Sequence, residues 1–478
     1  MAGMAGVAAR RRPGGRPEAM PTAGGGLSPE IRILDGGEPR LLTDFGRIDP
    51  RSLDSYRAHG GYTALERAIR HLSPEAVIGE MEAAGLRGRG GAGFPTAQKW
   101  RAVRATESDR KIVVANLMGA DPTSLGDRAL AEGNPHLIVE GVQIAAFAVG
   151  ASEAIIAVRR DWQTAVERLR LAVDQTASAH LSGYLVLGTD VSIQLSVEEG
   201  SGAYVAGEET AMLAALGGDR GMPWIRPPYP TTRGLWGVPT VVQNAETLAH
   251  VAWILAHSPE AFASAGTATG HGTKLVTLLG KVAQPGVVEV ALGTPLLDLL
   301  PLAGGGTGTV KALFVGGPGG GAIEAAALDT PYDYDALGGV GAHIGSGSVL
   351  VTDEATCMVD TARFFLDFSA REACGKAVPC RIGTRRLVET LDRILAATPR
   401  PGDFDLLRDL SRKMADTALC HLEVLAPRPM LTTLQRFPDE YRAHAERGVC
   451  LAGACRVEPV QPLVAPISNV EPTSPAAG

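Results

Sequence analysis

The stretch Gly85–Trp100, GLRGRGGAGFPTAQKW, restricts the fold more than any other part of this chain. Five glycines fall within the nine residues from Gly85 to Gly93. Glycines this dense let a backbone reach positive φ at little strain and approach a flat or anionic ligand without Cβ clashes. Turned amides and the start of a following helix suit phosphate. Arg87, Arg89 and Lys99 add positive charge, and Phe94 offers a stacking face. The two common phosphate-loop folds are excluded. A P-loop needs G-x4-G-K-[ST], and Lys99 lies too far beyond Gly93. A dinucleotide fingerprint follows a strand, whereas a helical pattern precedes these glycines. On the loop alone, a ligand cradle and a flexible linker both stay open.

The chain of 478 residues is long enough for about two to four domains. Its 45% hydrophobic and 20% charged content is that of a globular protein, and a net charge of −7 argues against a nucleic-acid binder. No run reaches membrane-span length without charge; the most apolar helix candidate, Leu137–Gly150, carries Glu140. Residues 1–27, rich in Gly, Ala, Arg and Pro, are expected to be disordered. Arg10-Arg11-Arg12 lacks the apolar segment that would make it an export signal. All six cysteines lie between Cys357 and Cys455, a skew that suits metal or redox use in a reducing, cytoplasmic setting better than a secreted disulfide framework.

Residues 63–84 read as helices before the glycine loop. Strands are expected at Lys111–Ala115 and Glu153–Val158, with a helix from the Asn134-Pro135 cap to Gly150 and another over Trp162–Ala177. Leu185–Val197 reads as β, Gly207–Leu216 and Asn244–Ala256 as helices. This alternation predicts an α/β domain over 28–262. Short strands at Lys274–Leu279, Gly286–Val290 and Ala312–Val315 around a helix at Pro295–Leu302 predict a β-grasp module over 263–352. Helical patterns at Ala355–Phe368, Thr384–Ala397, Phe404–Thr417 and Met430–Ala445 predict a four-helix bundle over 353–445. A disordered tail is expected over 446–478, with no periodicity after 457.

Three further constellations carry chemistry. GSGAYVAGEET (Gly200–Thr210) places Glu208 and Glu209 at a helix start, where the dipole favours carboxylates, beside Tyr204 and glycines that suit a ribose. WIRPPYP with GLWGVPTVVQNAETLA offers a cation (Arg226), a ring (Tyr229) and the amides Gln243 and Asn244. ACGKAVPCRIGT holds Cys374 and Cys380, and Cys420 follows between helices. The bland readings are a capped helix, a packed proline loop and core thiols. His136 and His250 read as structural, the Gly316–Gly321 string as a turn, Cys357 as a core residue inside a helix, and Cys450 and Cys455 in CLAGAC as tail cysteines rather than a metal pair.

In colinear order over about 60–445, these motifs resemble the NADH-binding flavoprotein subunit of respiratory complex I, the NADH-quinone oxidoreductase F-subunit family, and the related diaphorase subunits of soluble hydrogenases and formate dehydrogenases. The resemblance implies a flavin domain, a ubiquitin-like β-grasp module and a helical bundle with a [4Fe–4S] cluster. It implies hydride transfer from NADH to FMN, with electrons leaving singly through the cluster towards a thioredoxin-like [2Fe–2S] subunit and a larger iron–sulfur subunit, at the cytoplasmic face of a membrane or in a soluble assembly. Carried over by motif, Gly88, Arg89, Gly90, Gly91 and Gly93 cradle FMN, with Lys99 near its phosphate. Asn116, Tyr204, Gly207, Glu208, Gln243, Asn244 and Thr247 line the flavin site. Phe94, Asp121, Glu209, Arg226 and Tyr229 meet NADH, with Glu209 and Phe94 at the catalytic position.

The chain departs from this pattern at three places. The family's N-A-D-E-x-E-P-G loop reads Asn116-Leu117-Met118-Gly119-Ala120-Asp121-Pro122-Thr123, so two carboxylates are missing from the flavin edge. Ala102 stands where many relatives carry a stacking Phe. In the cluster motif C-G-x-C-x-P-C, Ala377 replaces the middle cysteine, leaving Cys374, Cys380 and Cys420. A cube wants four ligands. Three outcomes are open: a [3Fe–4S] cluster, a cube completed by water, His421 or another chain, or an absent cluster. The substitutions also leave open a redox-impaired structural subunit of the same fold, or a flavoprotein with another electron donor or exit.

Overall fold

The computed structural model describes residues 26–119 and 121–455, so residues 1–25 of the extension expected over 1–27 and residues 456–478 of the tail expected over 446–478 lie outside them. The described residues hold nine strands in two sheets. β1 (Ile112–Leu117), β2 (Glu153–Arg159), β3 (Gln194–Gly200) and β4 (Thr240–Asn244) make an all-parallel sheet in the order β3-β2-β1-β4. A central parallel strand is covered on both faces and so reads as a continuous apolar run. In β1, Val113, Ala115 and Leu117 join the large core under the helices Pro135–Val149 and Ala245–Ala256, while Ile112 and Val114 face a second core under the helix Glu209–Leu216. The helix Pro135–Val149 begins and ends as its sequence requires, with Asn134 capping the Leu137 amide and Gly150 closing it at φ 75°.

The second sheet has the order β6-β5-β9-β7-β8, built from β5 (Thr273–Gly280), β6 (Gly286–Ala291), β7 (Val310–Val315), β8 (Gly321–Glu324) and β9 (Ser348–Asp353). Among these described strands only β5 and β9 pair in parallel. The helix Leu296–Leu302 shares its core. The N-terminal segment stitches onto this sheet, since the buried Glu289 carboxylate of β6 accepts from the amides of Arg40, Leu41 and Leu42. The two sheets are joined by a fully buried Lys274–Glu246 ion pair between β5 and the helix after β4.

The C-terminal region is helical. Its elements are Met358–Glu372, Val378–Leu395, Asp403–Asp416, Arg428–Arg436 and Pro438–Arg447, with a single turn at His421–Leu425. The helix expected over Met430–Ala445 is broken, because Pro438 bars the residue before it from α geometry and lacks an amide to continue the ladder. The helix expected at Thr384 begins six residues earlier, since Pro379 is tolerated in a first turn. The strand read over Leu185–Val197 is displaced to Gln194–Gly200. Leu185 and Leu187 instead take positive φ in a tight loop closed by Gly183 and Ile193.

Candidate functional site

From β1 the chain steps outward to β2 and β3, then returns to the other side of β1 as β4. Ligands of open parallel sheets bind beyond the carboxyl ends of the strands at such a reversal. Here those ends carry Asn116 and Asn244, which lie opposite each other in the β1–β4 register. Asn244 caps the helix Ala245–Ala256 at the Thr247 amide and donates from Nδ2 to Asp127 at 2.7 Å. Burial and then the Glu246 charge push the Asp127 carboxyl up to about 6. Asn116 donates to the Gly207 carbonyl at 3.0 Å and accepts from the Met118 amide.

The glycine loop crosses this reversal. A Cβ on Gly90 would stand 3.2 Å from the Asn244 Cβ, and one on Gly91 3.0 Å from the Gly345 carbonyl. Gly91 and Gly93 sit at φ 116° and 63°, where only glycine is unstrained. The Arg89 amide donates to the Thr247 hydroxyl at 2.8 Å. The Arg89 guanidinium does not face the ligand space as a cradle charge. It is buried and spent on the carbonyls of Arg87, His271 and Thr273, so it fastens the loop to the second sheet's edge. Tyr334, which sequence reasoning missed, completes that clamp: its hydroxyl donates to the Gly88 carbonyl at 3.0 Å and its ring lies under the Arg87 guanidinium. No motif marks it, since it stands far along the chain in another domain.

Lys99, on the helix that follows the loop, reaches Glu209 at 3.0 Å and the β4 carbonyl of Val242 at 3.1 Å. Glu209 in turn pairs with Arg226 at 3.0 Å. Residues expected at the flavin phosphate and at NADH thus form one cation–carboxylate–cation line. Phe94 and Tyr229 are about half exposed (46% and 54%). Glu208 caps the helix Glu209–Leu216 through Oε2, accepting from Thr210 and Ala211. Gln243 is buried and donates to the Thr96 hydroxyl, and its Oε1 has no hydrogen-bond partner among the described residues. Asp121 is brought elsewhere than expected. Its carboxylate is saturated by Thr123 and by the hydroxyls of Ser346 and Ser348, so it ties the loop after β1 to the second sheet instead of lying open. Met118 is buried against Gly200, filling apolar space where the expected carboxylate would stand.

Tyr204 meets the helical region. Its ring packs edge-on against Phe368, its amide donates to Glu372 at 2.9 Å, and burial with the nearby Asp121 and Cys420 raises its hydroxyl. Next to it, Cys374 follows one helix, Cys380 sits in the first turn of the next, and Cys420 caps the turn His421–Leu425. Burial, Glu423, Cys420 and Cys374 push the Cys380 thiol up to about 12, and burial also raises Cys420. Neighbouring charge and burial disfavour ionisation of these thiols, a penalty that a bound metal centre would reverse. Ala377 stands at the cap of the helix Val378–Leu395. The His421 ring lies 6.1 Å from the His343 ring, and burial, Arg428 and Arg226 disfavour its proton.

A second donor set was not foreseen. Cys357 is not inside a helix but caps one, and the chain after Gly448 turns back so that Cys357, His444, Cys450 and Cys455 place their ligand atoms within 4.8 Å of one another. Cys357 Sγ lies 3.3 Å from His444 Nε2. Three thiols and one imidazole this close suit a single tetrahedral ion.

Three family models match the chain in order: the Nuo51 FMN-binding domain over residues 81–253, the SLBB domain over 275–324, and the NADH-ubiquinone oxidoreductase-F iron-sulfur binding region over 360–444. The NADP-reducing hydrogenase subunit HndC of Solidesulfovibrio fructosivorans is 40% identical over 413 residues, covering 86% of this chain and 84% of that protein. The NADH-quinone oxidoreductase F-subunit 2 of Rhizobium meliloti is 36% identical over 419 residues, covering 86% and 99%. Among solved structures, the NAD+-reducing [NiFe]-hydrogenase in its H2-reduced state matches with a TM-score of 0.77 at 32% identity, covering 87% of this chain and 68% of that one.

Proposed function

The chain belongs to the NADH-quinone oxidoreductase F-subunit family, the NADH-oxidising FMN flavoprotein subunits that pass electrons to iron–sulfur partners, and from that premise we propose how its own residues divide the work. FMN, when bound, accepts hydride from NADH and releases electrons one at a time. The glycine backbone at Gly88, Gly90, Gly91 and Gly93 forms the flavin cradle over the carboxyl ends of β1 and β4. The fit rests on the close Gly90 approach to Asn244, which an added side chain would crowd, and on the buried Gln243 Oε1, unpartnered among the described residues. Asn116, Gly207, Asn244 and Thr247 orient the cradle, and Lys99 supplies its cation. Arg89 and Tyr334 keep the loop closed from behind.

Glu209 and Arg226 hold the nicotinamide nucleotide, with Phe94 and Tyr229 stacking on its rings and shielding the transfer from water. Glu209 is the pivot, because it already balances Lys99 on the flavin side and Arg226 on the nucleotide side. The capping carboxylate of Glu208 and the Tyr204 surface complete the wall towards the cysteines. Cys374, Cys380 and Cys420 hold the iron–sulfur centre, on helices that we read as a four-helix bundle whose last member is the split pair ending at Arg447. The domains extend over about 28–262, 263–352 and 353–445. A thioredoxin-like [2Fe–2S] subunit and a larger iron–sulfur subunit are the electron acceptors, and these partners hold the chain at the cytoplasmic face of a membrane or in a soluble complex. Among the described residues no helix is long and apolar enough to cross a membrane.

The line Lys99–Glu209–Arg226, at the end of a glycine loop lying across the sheet reversal, carries this reading. Its test is NADH-dependent reduction of an artificial electron acceptor by the chain reconstituted with FMN. Activity that needs FMN supports the reading; FMN-loaded protein that NADH cannot reduce overturns it and favours the structural-subunit alternative.

A further inference from the structure

We propose that Cys357, His444, Cys450 and Cys455 hold one zinc ion that staples the chain after Gly448 to the helical region. This site shares no residue with Cys374, Cys380 and Cys420 and does not depend on the flavin reading. Its donors come from three places in the chain. Cys357 caps the start of the helix Met358–Glu372, His444 sits in the last turn of Pro438–Arg447, and Cys450 and Cys455 lie on the segment beyond. Gly448, at φ 60°, ends that last helix in the left-handed region and turns the chain back. The Gly453 amide then donates to the Cys450 carbonyl at 3.0 Å, in a turn that brings Cys455 round to Cys450. The four ligand atoms all lie within 4.8 Å of one another, with Cys357 Sγ 3.3 Å from His444 Nε2.

These spacings fit a single ion. Donors bound in a tetrahedron at about 2.3 Å for sulfur and about 2.0–2.1 Å for nitrogen stand about 3.5–3.8 Å apart. The cysteines of a four-iron cube each bind a different iron and stand farther apart, so this set is not a second cube. Thiolate and imidazole in tetrahedral array select zinc, and four protein donors close the site as structural zinc requires. Two backbone amides already point at the sulfurs, Asp360 at Cys357 Sγ and Cys455 at Cys450 Sγ, each at 3.5 Å. Such donors favour the thiolate, the form that binds metal. Apolar packing does not account for the convergence. Val449 and Leu451, the larger apolar side chains of the segment, are exposed, while Cys450 and Cys455 pack against the helical core. His444 Nδ1 has no hydrogen-bond partner among the described residues, so the polar contact of the buried ring is on its Nε2 side, towards the thiols. The helix that Cys357 starts ends at Glu372, which accepts the Tyr204 amide two residues before Cys374. The ion therefore anchors one end of the element whose other end meets the α/β domain.

The test uses the full chain, produced in medium holding both zinc and iron, purified anaerobically and examined by elemental analysis and X-ray absorption at the zinc edge. Wild type is expected to carry about one zinc per chain, bound by three sulfurs at about 2.3 Å and one nitrogen at about 2.0–2.1 Å. Cys450→Ser is expected to lose nearly all of that zinc with an unchanged circular dichroism spectrum, whereas Cys380→Ser, in the other cysteine pocket, is expected to keep it. Wild type stripped by a chelator is expected to be cut by trypsin after Arg447, and added zinc to protect it again, which tests the staple without a substitution. Zinc that survives Cys450→Ser overturns the proposal, as does a wild type that neither carries zinc nor takes it up from zinc salt. Iron rather than zinc lost on Cys450→Ser, or a disulfide within the set, overturns it equally.

Discussion

Gly90→Ala isolates the contact between the glycine loop and the strand reversal. Gly90 has no positive φ to defend, so the substitution acts through space alone. The added Cβ meets the Asn244 side chain at 3.2 Å for Cβ, 3.7 Å for Cγ and 3.9 Å for Nδ2. One side must move by a few tenths of an ångström. Asn244 cannot move cheaply, because it caps a twelve-residue helix, bonds Asp127 at 2.7 Å and sits in register with Asn116. Overpacking a fitted site costs about 1–3 kcal/mol, and a weakened cap about 1 kcal/mol. If half of that strain falls on the ligand-ready conformation, FMN binding weakens by roughly tenfold, since about 1.4 kcal/mol is a factor of ten. Flavin fluorescence quenching on titration of the apoprotein measures it. Gly79→Ala is the control: it lies in the helix Pro74–Ala83 with nothing within 4 Å of its added Cβ. That change is expected to leave FMN binding alone and to stabilise the fold by up to about 1 kcal/mol. Unchanged FMN affinity in folded Gly90→Ala, or equal weakening in Gly79→Ala, refutes the placement of the flavin over this contact.

Lys274→Met leaves Glu246 charged and buried between the two sheets, so it is expected to cost about 3–5 kcal/mol in a urea titration. Arg226→Ala is expected to raise the KM for NADH by roughly tenfold with little change in kcat, because a charge-assisted contact to the nucleotide is lost while the flavin side is untouched. Asp127 has its folded pKa raised from 3.8 to about 6, so the native state binds the proton more tightly than the unfolded chain. Stability therefore falls as pH rises from about 4 to about 6 and levels off above, and Asp127→Asn is expected to flatten that slope in urea midpoints taken across the range. Protein purified without added metal is expected to carry about one zinc ion at Cys357, His444, Cys450 and Cys455, and Cys455→Ser to lose it together with protease resistance of the chain after Arg447.

Local signals in the sequence describe the elements that local forces decide. The helix Pro135–Val149 has its cap, first-turn proline and closing glycine all between Asn134 and Gly150, and it is where the pattern places it. β4 and β9 escape notice because each is short and buried, although Gly or Pro turn residues precede each. β9 finds its place only between β5 and β7, strands that come before it in the chain. The break at Pro438 was visible as a proline and was outweighed by apolar spacing that runs across it. At the site, Lys99, Glu209 and Arg226 were legible as motif members, but their ion-pair line joins residues 110 and 17 positions apart and is a product of the fold. Arg89 misled for the same reason: its partners are backbone carbonyls up to 184 residues away, and carbonyls leave no trace in sequence. Ala377 announces a missing ligand because the spacing of the motif fixes where a cysteine should stand.

The electron path from NADH through FMN to the cysteine pocket is open to a single decisive experiment. It is an anaerobic NADH titration of the purified, FMN-loaded and cluster-reconstituted chain, followed at once in the flavin absorbance and in the resonance signal of the cluster. The flavin band is expected to bleach, and the protein to take up more electrons than its flavin alone can hold, the excess appearing as reduced cluster. A flavin band that stoichiometric NADH leaves unbleached contradicts the path at its first step, and a bleached flavin beside a cluster that never changes contradicts it at the exit.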